Sequence, residues 1–277
     1  MTAPEKTQWQ KRHSAAVRIL HWTNAVALAF LLLSGLQIFN AHPALYWGSQ
    51  SLFDKPSLAM VANEKDDGTV TGGRLTVGNA SFDTTGVFGA SKGEDGALTE
   101  RGFPRWMTWP ATQDLATGRR WHFFFAWIFV VGGLLYLLIG FAGRHIPRDL
   151  VPTRKELAHI GGSIVEHAKL RFPRVRRYNV IQNLTYLVMI FVVLPLMLLT
   201  GLTMSPGMDT RFAGLLSLFG GRQSARTIHF ISAWTIVLFT IVHVALVILS
   251  GFWNNMRSMI TGWYRLEPGT AAENAHD

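Results

Sequence analysis

The chain has 277 residues, 49% of them hydrophobic and 16% charged, with 26 Lys/Arg against 17 Asp/Glu and a formal net charge of +9. It contains no cysteine, which excludes disulfides, thiolate-held iron–sulfur clusters and CxxCH haem attachment. The basic excess calls for no nucleic acid, because it flanks apolar runs, where Lys and Arg meet the anionic headgroups of membrane lipids.

Four segments, 19–39, 121–142, 184–204 and 228–253, are apolar for roughly twenty residues each, enough at about 1.5 Å per residue to cross about 30 Å of hydrocarbon. Only a helix satisfies its own backbone in lipid without neighbours. The predicted fold class is therefore all-α: an integral membrane four-helix bundle, one domain over 1–277, with a long loop at 40–118.

In chain order, Lys11, Arg12 and Arg18 precede the first apolar run. That run is long, holds Trp22 and Asn24, and lacks a small-residue cleavage site, so it reads as a retained first helix rather than a signal peptide. The tail up to Arg18 carries four Lys/Arg against one acid, and loop 143–181 carries nine against three. Both are expected on the cytoplasmic side, with both termini cytoplasmic. Loop 40–118, with six Lys/Arg against nine acids, then falls on the opposite, outer side. Its glycines Gly72, Gly73, Gly78, Gly86 and Gly89 among Thr, Val and Phe suit short strands or none, and the stretch Phe103–Pro110 suits an interfacial aromatic belt. Arg154–Leu170 and Arg211–Phe219 read as short helices lying along the membrane surface.

Ten histidines are present. Four of them, His21, His122, His229 and His243, fall inside or at the edge of apolar spans, where an ionisable group is costly and calls for a reason. His229 and His243 are fourteen residues apart, which returns to within about 40° of one helix face at about 21 Å along the axis. His21 starts the first span at the depth of His243, and His122 starts the second at the depth of His229. Two depth-matched imidazole pairs suit two stacked bis-histidine b-type haems, since each iron needs two axial nitrogens. Zinc would gather three or four ligands at one point. Anionic haem propionates would be met by arginines at the membrane edges: Arg12 or Arg18 on the inner side, Arg119, Arg120 or Arg226 on the outer.

The combination Arg18-Ile-Leu-His21-Trp22, Arg120-Trp-His122, Tyr178-Asn-Val-Ile-Gln182, Thr200-Gly201-Leu202 and His229 with His243 resembles the bacterial cytochrome b561-like superfamily. Within it, the chain is most similar to di-haem cytochrome b subunits of nickel-iron hydrogenase, formate dehydrogenase and thiosulfate reductase type. The resemblance spans about Lys11 to Tyr264, and it implies a bacterial inner-membrane protein with loop 40–118 periplasmic. It implies two haems b, held by His122 with His229 and by His21 with His243, and electron transfer between the quinone pool and a periplasmic redox subunit. It also implies a quinone site at Asn179 and Gln182, where amides can donate to a quinone carbonyl; capping of the third helix is the plainer reading of the same two residues. The size of loop 40–118 resembles variants that serve periplasmic molybdopterin oxidoreductases.

The expected role is thus an electron-transfer subunit of an oxidoreductase complex. Two alternatives stand beside it: a free-standing b561-like enzyme such as a superoxide:quinone oxidoreductase, and a haem-free membrane anchor or transporter whose histidines relay protons.

Overall fold

A computed structural model describes residues 8–144, 146–158, 160–168, 180–205, 207 and 211–266. Strand β1 (Trp9–Lys11) leads into helix α1 (Ala15–Phe39), followed by strands β2 (Ala44–Leu45), β3 (Leu58–Glu64), β4 (Val70–Val77), β5 (Ala80–Asp83), β6 (Gly89–Lys92) and β7 (Leu98–Arg101). Helix α2 (Leu115–Ala142) comes next, then a π turn at Ile146–Leu150 and the short helices α3 (Arg154–Ala158) and α4 (Ile160–Ala168). The third long helix is built from α5 (Val180–Val188), a π segment (Met189–Val193) and α6 (Leu194–Thr203). Helices α7 (Ala213–Leu218), α8 (Arg222–Leu249) and α9 (Phe252–Thr261) and strand β8 (Trp263–Arg265) complete the order.

Four helices are long and apolar enough to cross a membrane: Ala15–Phe39, Leu115–Ala142, Val180–Thr203 and Arg222–Leu249. Exposed Phe124, Trp127, Leu134 and Leu138 along α2 suit a lipid-facing surface. The π segment sits directly before Pro195, whose missing N–H and bulky ring disturb the α-helical ladder one turn back. The fourth span was expected to run to 253 but ends at Leu249, because Gly251 adopts φ 110° and starts α9 in a new direction.

The expected all-α class needs correction at loop 40–118, which carries six strands. β2, β3, β4 and β5 form one antiparallel sheet in that order, and β6 pairs with β7. Close backbone approach explains the glycines: a Cβ on Gly73 would stand 2.3 Å from the Phe88 carbonyl oxygen, and one on Gly89, at φ 82°, 2.4 Å from that of Val61.

The chain divides into two compact units. The strand-bearing unit contains Asn24–Val130 and Pro195–Trp234. Its core gathers Leu36, Phe39, Leu45, Met60 and Phe103, with Phe230 and Trp234 packed against them. Phe103 is fully buried and clamped by Asn40, whose Oδ1 accepts from the Phe103 N–H at 2.7 Å while its Nδ2 donates to the Phe103 carbonyl at 3.2 Å. Buried Arg101 donates to the Phe103 and Ala111 carbonyls and the Thr108 hydroxyl, so the guanidinium is paid back in hydrogen bonds for leaving water. Residues 42–48 are tied to the start of α8: Thr227 donates to the Tyr46 carbonyl at 2.6 Å, the Gly48 N–H donates to the Ser224 hydroxyl at 2.8 Å, and Arg226 donates to the His42 carbonyl.

The other unit holds the described parts of Met1–Thr23, Val131–Leu194 and Thr235–Asp277. Here β1 and β8 pair antiparallel, so both described ends of the chain meet. Arg12 lies over the Tyr264 ring at 4.4 Å and Arg257 over the Trp9 ring at 5.1 Å, cation–π contacts that reinforce the two-stranded clip. Trp22 Nε1 donates to the Met259 carbonyl at 3.1 Å, which fastens α9 to α1.

Candidate haem sites

In the strand-bearing unit, the third turn of α2 and the third turn of α8 bring His122 and His229 together, with ring centroids 6.4 Å apart and planes at 61°. In the other unit, His21 near the start of α1 and His243 on α8 also stand 6.4 Å apart, at 52°. Two imidazoles that ligate one metal from opposite sides place each nitrogen about 2 Å from it and each centroid about 1.1 Å further back, a separation of about 6.3 Å. Both pairs fit one iron each. Among the described residues, no group of three or more His, Cys, Asp or Glu is positioned for a metal ion, so the zinc-type arrangement finds no counterpart there.

The surroundings of the two pairs differ. His122 Nδ1 lies 3.1 Å from the Ser34 hydroxyl, which itself donates to the Phe30 carbonyl at 2.6 Å. A hydroxyl with its proton committed accepts from the ring, so His122 carries its hydrogen on Nδ1 and offers Nε2 as the ligand nitrogen. His229 Nδ1 donates to the Met197 carbonyl at 3.0 Å and lies 3.1 Å from the Thr200 hydroxyl, which donates to the Leu196 carbonyl at 2.7 Å. Its Nε2 is available in the same way. The His21–His243 pair is instead walled by aromatic rings: Trp22 edge-on to His21 at 5.3 Å, Phe239 stacked on His243 at 5.8 Å and Tyr186 edge-on to it at 6.3 Å. Among the described residues, neither ring of that pair has a hydrogen-bond partner.

The remaining site residues fare unevenly. Arg18 donates to the Ile260 carbonyl, which anchors α9. Arg120 is exposed on the first turns of α2 and contributes, after the Thr117 hydrogen bonds, to holding the exposed Asp114 carboxyl below its ordinary range. Arg226 is bonded to the His42 carbonyl and lies over the Phe39 ring at 5.2 Å. Asn179, with Tyr178, lies outside the described residues. Gln182 is half-buried on the first turn of α5. Its neighbour Asn183, which sequence reasoning passed over, is 1% exposed, and neither amide atom has a hydrogen-bond partner among the described residues. Ser34 was missed as well, although a hydroxyl followed by glycine recurs at Ser34-Gly35 and Thr200-Gly201 inside two apolar spans.

Residues 12–262 match the prokaryotic cytochrome b561 family. The chain belongs to the prokaryotic cytochrome b561 family. Family members bind b-type haem and transfer electrons in the membrane, and this b561 chain, with its four spans, is a multi-pass bacterial inner-membrane protein. It is similar to a putative protein-methionine-sulfoxide reductase subunit, YedZ1, of Azospira oryzae, at 26% identity over 242 residues, which cover 86% of this chain and 90% of the relative. No solved structure gives a significant match.

Proposed function

We propose that this b561 binds two haems b and carries electrons across the membrane from the quinone pool to a periplasmic reductase. The observation that carries this reading is the repeated spacing: two histidine pairs, each with centroids 6.4 Å apart, the separation suited to one six-coordinate iron. Bound haem b supplies a one-electron ferric/ferrous couple. The chain supplies His21 with His243 for one iron and His122 with His229 for the other. Arg18 and Arg120 remain the candidates for propionate contacts from the two membrane edges.

The basic loop 143–181 supports a cytoplasmic end for the His21–His243 pair and a periplasmic end for loop 40–118, by the positive-inside rule. The quinone is assigned to the cytoplasmic-side start of the third span, with Asn179 and Gln182 as amide donors. The buried, unpartnered amide of Asn183 adds a third polar group there. A quinol oxidised at that end releases two electrons to the chain and two protons to the cytoplasm, while the electrons leave at the opposite face. The relative's name, a subunit of a protein-methionine-sulfoxide reductase, supports outward flow to a reductase, and a molybdopterin enzyme is the partner class assigned. Exposed Trp47, Phe53 and Trp106 on 40–118 suit docking of a protein. The family's haem chemistry leaves the haem-free anchor without support.

The test is the dithionite-reduced minus oxidised spectrum of purified protein with haem quantified per polypeptide, expected at two haems b. His243→Ala is expected to remove one haem and His122→Ala the other. One haem in the wild type, or two in both variants, would defeat the assignment.

A further inference from the structure

The two ligands of the strand-bearing unit are held in the same way by two different helices. On α1, Ser34 is fully buried, its hydroxyl donates to the carbonyl four residues back, Phe30, and it meets His122 Nδ1 at 3.1 Å with the Leu31 carbonyl, three residues back, beside the same ring. On α6, Thr200 is fully buried, its hydroxyl donates to the carbonyl four residues back, Leu196, and it meets His229 Nδ1 at 3.1 Å with the Met197 carbonyl, three residues back, at 3.0 Å. In each case the next residue is glycine. A Cβ on Gly35 would stand 3.4 Å from His122 Cε1, and one on Gly201 3.3 Å from His229 Cε1.

A buried hydroxyl in a membrane helix satisfies itself by bonding to the carbonyl one turn back, and that alone accounts for the donor half of each contact. It does not account for the acceptor half, nor for the glycine that lets each ring lie against the helix. The recurrence of hydroxyl, carbonyl and glycine at identical offsets on two helices, one for each member of a single histidine pair, marks a built feature.

We propose that Ser34-Gly35 and Thr200-Gly201 are twin cradles that position the His122 and His229 imidazoles and, through them, set the ferric/ferrous balance of the haem these residues hold. The inference rests on the bis-histidine reading above. An Nδ1–H that donates to an oxygen pushes electron density toward Nε2 and makes the ring a more basic ligand. The more basic ligand favours the ferric state, so the cradles hold this haem at a lower potential than the same ligands without them. Ser34 and Thr200 are positioning residues, acting through the histidines. Aromatic rings take their place around His21 and His243, so the two haems of one chain are tuned by different means.

The experiment is a redox titration of full-length, haem-loaded protein, followed optically and by low-spin ferric EPR, for wild type, S34A, T200V, the double variant and T200S. In the double variant, one of the two haems is expected to shift by roughly fivefold in its ferrous-to-ferric ratio at fixed potential, about 40 mV upward, with its EPR signal displaced. The other haem stays unmoved and T200S behaves as wild type. Loss of one haem from T200V but not from T200S would support the cradle through affinity instead. Two haems retained with both potentials unmoved, or both moved equally, would overturn the cradle while leaving the di-haem reading intact. Fewer than two haems in the wild type would defeat that reading itself.

Discussion

Replacing Gly201 by Ala places a methyl 3.3 Å from Cε1 of His229, inside the roughly 3.5–4.0 Å at which two carbon atoms attract most strongly. The ring would have to retreat by a few tenths of an ångström. In the haem-free chain the ring can swing about its Nδ1 contacts with Met197 and Thr200; with Nε2 also committed to iron it would be fixed at both nitrogens, so the strain falls on the loaded form. Overpacking of this kind costs about 1–3 kcal/mol, which lowers haem affinity by roughly 5- to 150-fold. Gly35→Ala, whose methyl would meet His122 at 3.4 Å, is the milder change. Gly133→Ala, on the same helix as His122 with nothing within 4 Å of the added methyl, serves as the control. Haem titration of each purified variant, read as haem bound per polypeptide, should rank them Gly201→Ala weakest, then Gly35→Ala, with Gly133→Ala at wild type. Alanine favours a helix over glycine by roughly 1 kcal/mol, so helix content measured by circular dichroism should not fall. Wild-type haem affinity in Gly201→Ala, or equal losses in all three, would refute the steric reasoning.

Two further outcomes follow from the strand-bearing unit. Asn40→Ala strands the buried Phe103 N–H, since Arg101 still serves the Phe103 carbonyl but nothing replaces Asn40 Oδ1; this is expected to cost about 1–3 kcal/mol, seen as a lower melting temperature and faster proteolysis within 58–101. Proteolysis at the wild-type rate would argue against the clamp. His42, outside the spans, has its pKa held below the ordinary 6.5 by burial and then by the Arg226 charge. The released segment therefore takes up a proton more readily than the packed one, so the packing of 42–48 is strongest above pH 6.5 and weakens as pH falls through that value toward the folded pKa. Protease protection of this segment between pH 7.5 and 5.5 should show the loss, and His42→Asn should flatten it; an unchanged pH profile in the variant would assign the effect to another group.

The four spans were legible from the sequence because an apolar run of membrane length has one way to satisfy its backbone, and that way is local. The histidines were legible for a related reason: spacing along one helix is a matter of residue count, so His229 and His243 on α8, with His21 and His122 at span starts, announced two pairs before any contact was known. What the sequence left open was settled by contacts between segments distant in the chain. The strands of 40–118 depend on Gly73 and Gly89 admitting the Phe88 and Val61 carbonyls, and glycines alone are equally compatible with an irregular loop. The β1–β8 clip joins residues some 250 positions apart, with no local signal at either end. Ser34 and Thr200 look like ordinary polar residues in apolar helices until the fold sets them against the rings of His122 and His229. A hydrogen bond between two helices is a property of their packing, and only the tertiary structure decides which hydroxyl meets which nitrogen.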